Sequence, residues 1–74
     1  MIEINGELLR AKRKQAQFTQ GQIGQKLSMS AVGFSHRETG MTPFAPWEIV
    51  VTAKALKLTI NDINDIWFGG KLPL

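Results

Sequence analysis

Few side chains in this sequence are of the types that do chemistry. His36 is the only histidine, and cysteine is absent. A structural zinc ion takes four ligands, most often cysteine and histidine, so a single histidine does not form such a site. As a general base, His36 would need a carboxylate to orient its ring, and no acid stands at helical spacing from it. We therefore expect no enzyme activity, no bound metal and no cofactor.

Positive charge gathers in the first half of the chain. Nine Lys and Arg stand against six Asp and Glu, which gives a net charge of +3. The run Arg10-Ala11-Lys12-Arg13-Lys14 supplies much of the excess. A basic half favours a polyanionic partner such as nucleic acid. The same run also fits an ordinary solvated helix face, so charge alone does not decide between the two.

The chain has the length of one small domain. For its 74 residues the expected free energy of unfolding is about 4–11 kcal/mol. A deep catalytic cavity would take up much of the core of so small a domain, which disfavours most enzymes. No apolar run approaches the length of about 18 residues that a membrane span needs. The start, MIEINGELLRAKRK, lacks the apolar core of a signal peptide. We expect a cytoplasmic protein with one domain over residues 1–70 and a flexible tail over residues 71–74.

Helix-starting residues divide the chain into five stretches, and no strand pattern persists. Four residues suit an N-cap and one proline suits a first helical turn: Asn5, Thr19, Ser30, Thr59 and Pro46. Gly40 can adopt the left-handed conformation that ends the third helix. The sequence therefore predicts an all-α fold of five short helices.

The third helix, from Ser30 to Thr39, has two unlike sides. At the helical spacing of about 100° per residue, the apolar ring of Phe34 and the carboxylate of Glu38 lie about 40° apart on one side. The opposite side carries short side chains and the imidazole of His36. Exposed helix faces usually carry long charged residues, so this bare face can approach another surface closely.

A carboxylate beside the core, such as that of Glu38, needs a partner. Arg13 and Lys12 both lie at the flank of the apolar face of the first helix, so spacing does not choose between them. A guanidinium can bind a carboxylate with two parallel hydrogen bonds, which favours Arg13. We predict an Arg13–Glu38 salt bridge that positions the third helix and takes no part in chemistry.

Two motifs follow each other across the second and third helices. They read Thr19-Gln20-x-x-Ile23-Gly24-x-x-Leu27-x-Met29-Ser30 and Phe34-x-x-x-Glu38-x-Gly40. The same register takes in residues on either side: Leu9, Arg13, Ile49, Ala53, Lys54, Ala55 and Leu56. In this register the chain resembles the lambda-repressor/Cro-like helix-turn-helix family, also called the XRE family. The resemblance covers nearly the whole chain and implies a compact five-helix DNA-binding domain.

The resemblance also implies roles for single residues. The third helix would enter the major groove with four side chains at base edges: Ala31, Val32, Ser35 and His36. Near the DNA backbone we expect Gln20, Thr39 and Thr42 together with the cations Lys14 and Arg37. Gln20 would bind phosphate and brace the third helix, and Arg13 and Glu38 match a salt bridge of the family.

The sequence departs from the family pattern at several positions. Arg37 stands where the family usually has an apolar residue, and it would reach either a phosphate or Glu38. Gln17 replaces a glycine that usually ends the first helix, and Gly21 and Gly33 lie inside helices without a reason that the sequence supplies. The base-facing set contains no Arg, Asn or Gln, the usual bidentate readers of bases. This predicts modest readout per half-site, or a partner other than DNA.

The expected function is therefore sequence-specific transcription regulation of phage or bacterial Cro/repressor type on a double-stranded DNA operator. A homodimer is expected, with its interface on the fourth and fifth helices and the apolar tail, since one domain touches only one short half-site. The alternative is a protein-interaction modulator on the same fold, which binds a partner repressor or, as an antitoxin, a toxin. DNA affinity that falls steeply with salt favours the regulator, and its absence favours the modulator.

Overall fold

The computed structural model describes residues 3–74, and within them the chain forms five α-helices. These are α1 (Gly6–Gln15), α2 (Gln20–Lys26), α3 (Ala31–Glu38), α4 (Pro46–Ala55) and α5 (Ile60–Trp67). No strand occurs among these residues, so the predicted all-α fold of five helices is confirmed. None of the five is long and apolar enough to cross a membrane. Met1 and Ile2, which the predicted domain 1–70 includes, lie outside the described residues.

The helices begin where the sequence predicts, because each predicted N-cap makes the hydrogen bond that its type favours. Each of the four side chains accepts from the backbone N–H three residues further on at 3.1 Å: Asn5 from Leu8, Thr19 from Gln22, Ser30 from Gly33 and Thr59 from Asp62. Pro46 is the first residue of α4. The N-cap predictions are confirmed, and local hydrogen bonding explains them.

Within residues 3–74, a left-handed residue follows the C-cap of each of the five helices: Gln17, Ser28, Gly40, Lys57 and Gly69. Gly40 follows α3 with φ of 87°, as predicted. Gln17 follows α1 with φ of 63°, so it takes up the conformation for which the family usually supplies a glycine. The departure at this position therefore changes the residue type and keeps the backbone turn.

One hydrophobic core joins the helices and holds α3 in position. Leu9 of α1, Ile23 of α2 and Ile66 of α5 are fully buried, and Phe34 is buried among them. Phe44, in the loop before α4, bridges α3 and α5, since its ring packs edge to face on Phe34 at 6.1 Å and on Trp67 at 5.3 Å. The third helix is thereby held at its inner edge by aromatic packing.

The last four residues, for which the sequence predicts a flexible tail, touch the domain at Leu72. Its backbone N–H donates to Oδ1 of the buried Asn64 at 2.9 Å. Leu74 is exposed. The flexibility of this tail stays a prediction.

Candidate nucleic-acid interface

The two sides of α3 differ in exposure. Phe34 is inaccessible to solvent and Glu38 is 3% exposed. Val32 is 63% exposed, and Ala31 and His36 are exposed as well. α3 therefore turns a face of short side chains and one imidazole toward the outside. Its inner edge is fixed in the core.

The four residues predicted to face bases are not equally placed. Three of them, Ala31, Val32 and His36, are exposed, whereas Ser35 is half-buried and turns toward α1 and α2, where it lines a surface basin. Around His36 no cluster of acidic side chains gathers: among residues 3–74 no three His, Asp or Glu come together in a way that could hold a metal ion. The exposed face is therefore suited to contact with a surface.

Arg13 and Glu38 form a buried, bidentate ion pair. Nε of Arg13 donates to Oε2 of Glu38 at 2.8 Å, and Nη2 donates to Oε1 at 3.2 Å. The third guanidinium nitrogen, Nη1, donates to the carbonyl oxygen of Phe18 at 2.9 Å. One arginine thus joins α1, the turn before α2 and the end of α3, an arrangement for which its planar fork is suited.

Lys12, the other cation that the spacing allows beside Glu38, turns to α5 instead. Its Nζ lies 3.4 Å from Oδ1 of Asp62. The backbone N–H of Thr59 donates to the Asp62 carboxylate at 3.0 Å and holds the pKa of Asp62 below its usual value, with a smaller contribution from Lys12. This pair lies between α1 and α5, away from α3.

Gln20, the first residue of α2, reaches the same carboxylate as Arg13. Its Nε2 donates to Oε1 of Glu38 at 3.0 Å. An amide nitrogen carries two hydrogens, so this bond fixes the plane of the amide and leaves a second hydrogen for another acceptor. Glu38 therefore accepts from both α1 and α2, and it links three helices.

An open basin of about 840 Å³ lies between α1, α2 and α3. Several of the residues predicted to lie near DNA line it together: Lys14, Gln20, Ser35 and Thr39. Arg10, on the exposed side of α1, lines the same basin. The basin therefore brings Lys14 and Arg10, which make no ion pair with the residues that the structure describes (3–74), and several polar side chains to one side of α3.

A second hollow of about 570 Å³ lies on the side of α3 that faces the loop before α4. Arg37, Thr39 and Thr42 line it, so the remaining predicted backbone residues meet there. Oγ1 of Thr39 donates to the carbonyl oxygen of Ser35 at 2.9 Å. Its hydroxyl hydrogen is therefore used within the helix and would have to rotate to reach another acceptor.

The sequence does not identify the partner of Arg37. Its Nε donates to Oε1 of Glu48 in α4 at 3.0 Å, so within the chain it pairs with Glu48 and not with Glu38, and its contact with phosphate stays a prediction. Glu48 is the third residue of a helix that starts with proline, the position from which an acid often reaches back to the N-cap. The backbone N–H of Ala45 does donate to it, at 2.8 Å. That position was the signal that could have drawn attention to Glu48.

The fold and the exposed helix define a helix-turn-helix domain, in which α2 and α3 form the motif. A family model described as a helix-turn-helix domain matches residues 6–65. The chain belongs to this family, within its XRE/Cro-like class, and the resemblance derived from the sequence motifs is confirmed. Domains of this class bind DNA and are typically not enzymes. No curated protein and no solved structure matches the chain.

Proposed function

We propose that this chain is a sequence-specific transcriptional regulator of phage or bacterial Cro/repressor type, acting in the cytoplasm with α3 in the major groove of an operator. The observation that carries the proposal is the contrast across α3, whose inner edge is buried and whose outer face is free of long charged side chains. The major groove is wide enough for an α-helix, and short side chains reach the base edges there only when the helix backbone comes close to the bases. A bare face on a rigidly held helix meets that requirement.

Base reading would rest on four short or medium side chains. Ala31 and Val32 can contact the methyl group of thymine, a discriminating feature of the major groove. Ser35 and His36 can donate to the acceptors on the edges of purines. None of the four makes a bidentate contact, so discrimination per half-site stays modest.

Contact with the DNA backbone would come from the two hollows that flank α3. Lys14 and Arg10 supply charge in the first, and Gln20 offers the amide hydrogen that Glu38 leaves free. A bond from that hydrogen to a phosphate is charge-assisted and therefore strong. Thr39 and Thr42 lie at the second hollow, on the other side of the helix.

The proposal is tested by selecting duplexes from a random pool with the purified protein and then measuring affinity as a function of salt. We expect the selected duplex to bind at least about 10³-fold more tightly than a random duplex of equal length. Affinity should also fall steeply between about 50 and 200 mM salt. Binding to every duplex only in the non-specific range of about 10⁻⁴–10⁻⁶ M would reject the regulator.

Gln20→Ala is expected to weaken binding to the selected duplex by about tenfold or more, because a hydrogen bond to a charged group contributes about 1.5–3 kcal/mol. Gln25→Ala is the matched control, since Gln25 is an exposed glutamine of the same helix. Fluorescence anisotropy measures both, with thermal unfolding as the check on the fold. Equal affinities of the two variants would remove Gln20 from the interface.

A homodimer would bring two recognition helices to half-sites about 34 Å apart. We propose its interface on α4 and α5, where Trp47, Val50 and Ile60 leave more than half of their surface exposed. Trp47 and Val50 are three residues apart and so lie on one side of α4. Apolar side chains exposed in this way are typical of contact surfaces.

Trp47→Glu is expected to shift a dimer to monomer in analytical ultracentrifugation and to abolish cooperative binding to a duplex with two half-sites. A glutamate at this position suits the first turn of α4, so the fold is not expected to suffer. Met41→Glu is the control, because Met41 is also an exposed apolar residue, at 73% against 53% for Trp47, and lies outside the proposed interface. A monomeric wild type, or equal effects of the two variants, would contradict this interface.

The second candidate function is a protein-interaction modulator on the same fold. Exposed apolar side chains on α3 and α4, Val32 and Trp47 among them, favour it, because such residues also suit a protein partner. The partner would be a repressor, or a toxin if the chain is an antitoxin. Tight binding to the product of a neighbouring gene, together with no duplex preference, would establish this function in place of the first.

A further inference from the structure

A second ion pair fastens α3, on the other flank of Phe34 from Glu38. Nε of Arg37 donates to Oε1 of Glu48 at 3.0 Å, and its Nη1 donates to the carbonyl oxygen of Gly33 at 3.0 Å. The same oxygen of Glu48 accepts from the backbone N–H of Ala45 at 2.8 Å. Arg37 is therefore tied both to its own helix and to the start of α4.

The two partners differ in their access to solvent. The Arg37 side chain is 22% exposed and that of Glu48 is 6% exposed. A carboxylate so far removed from water needs a paired cation. The ion pair with Glu48 therefore holds the guanidinium of Arg37 in place. Within residues 3–74 the guanidinium of Arg37 uses its Nε hydrogen and one of the two hydrogens of Nη1, and Nη2 makes no hydrogen bond. A phosphate contact would have to use Nη2 or the second hydrogen of Nη1.

Direct packing leaves the angle between α3 and α4 weakly defined. α3 packs mainly on α2, with further contacts to α1. Its connections to the α4 side run through Phe44 in the loop, through the hydrogen bond from the N–H of Thr42 to the carbonyl oxygen of His36 at 3.1 Å, and through the Arg37–Glu48 pair. The first two reach only the loop, so among these connections the pair is the one that joins α3 directly to α4.

We propose that the Arg37–Glu48 pair is a positioning device that sets the orientation of α3 and thereby its base discrimination, and that Arg37 is not a phosphate contact. The DNA part of this inference rests on the proposed function. Ala31 and Val32 are short, so they reach base edges only when the backbone of α3 is correctly placed. Recognition sites of this kind need their geometry held within about 0.5 Å.

In the DNA test, the affinities of Arg37→Met and Glu48→Gln for the selected and for the random duplex are measured over a range of salt concentrations. Each variant is expected to lower the ratio of the two affinities about tenfold, comparable to a single mismatch, with the salt dependence of the wild type. Lys54→Met is the control, because it removes an exposed cation of α4 with the same change in net charge as Arg37→Met.

A phosphate contact predicts different results. Arg37→Met would then lower the slope of log affinity against log salt by about 0.9 for both duplexes alike. Glu48→Gln would release the guanidinium and leave binding unchanged or stronger. Either of these results overturns the proposal.

Amide hydrogen exchange of the free protein tests positioning without any ligand. Both variants are expected to speed exchange in α3 more than about tenfold relative to Lys54→Met, because the helix opens locally more often. The double variant should be no faster than the faster single variant, since the two residues act as one unit. Exchange in α3 that matches the wild type overturns the proposal whatever the DNA result. A wild type without duplex preference rejects the proposed function, and exchange still decides this inference.

Discussion

Glu38→Ala is expected to lower the free energy of unfolding by about 3–5 kcal/mol, because it leaves a buried guanidinium without its anion. Arg13 is 6% exposed and directs two of its nitrogens at Glu38, so water has little access to replace the lost oxygens. Gln20 loses its acceptor at the same time. Since the free energy of unfolding of the whole domain is about 4–11 kcal/mol, the midpoint of urea unfolding should shift strongly. Circular dichroism measures this unfolding.

Two further variants separate the buried pair from a general effect of charge. Asp65→Ala removes an exposed carboxylate of α5 that makes no hydrogen bond or ion pair within residues 3–74, and it should change stability by no more than about 0.5 kcal/mol. Arg13→Met combined with Glu38→Met removes both charges and should cost less than the sum of the single changes. A loss for Glu38→Ala as small as that of Asp65→Ala would mean that the pair is solvated.

The parts of the fold that could be predicted are those that depend on near neighbours along the chain. An N-cap side chain forms a hydrogen bond with a residue three positions further on, so Thr19 and Ser30 predict the starts of their helices without any knowledge of tertiary contacts. The contrast across α3 follows from helical spacing alone. The choice of Arg13 for Glu38 needed one more fact, the fit of a planar fork to a carboxylate, and the ion pair in the structure has that geometry.

The parts that could not be predicted depend on angles between helices. Arg37 meets Glu48 because the loop from Met41 to Ala45 brings the start of α4 beside α3. No local pattern fixes that loop, so the sequence could offer only a phosphate or Glu38 as the partner. The roles of single residues at DNA stay predictions for the same reason, since they depend on how a second molecule lies against α3.

The interior glycines also show what sequence patterns miss. At Gly33 an added Cβ would lie 3.4 Å from Cβ of Met29, a tight but tolerable contact. At Gly21 it would lie 3.7 Å from Cβ of Ala31, an ordinary contact, so the structure gives no reason for a glycine there. Gly6, which the sequence does not single out, is the most constrained of these three, because an added Cβ would overlap the backbone carbonyl oxygen of Glu38.

Gly6→Ala is expected to lower the free energy of unfolding by about 1–3 kcal/mol, the usual range for overpacking, since neither side of the clash can easily move. The backbone before Gly6 is held by the bond from the N–H of Asn5 to the carbonyl oxygen of Ile66 at 2.7 Å. The residue on the other side, Glu38, is held by its ion pair with Arg13. The new methyl group must therefore push the end of α3 away from α1.

Gly21→Ala is the matched control, and its effect should have the opposite sign. It introduces the same methyl group into a helix at ordinary contact distance, so it should stabilise the protein by about 0.5–1 kcal/mol through the lower conformational entropy of the unfolded chain. Urea unfolding of both variants measures the difference. If both stabilise the protein, α1 and α3 do not approach each other as closely as the Gly6 geometry requires. Because displacement of α3 would also move its exposed face, Gly6→Ala should weaken DNA binding, although Gly6 is not itself one of the residues proposed to contact DNA.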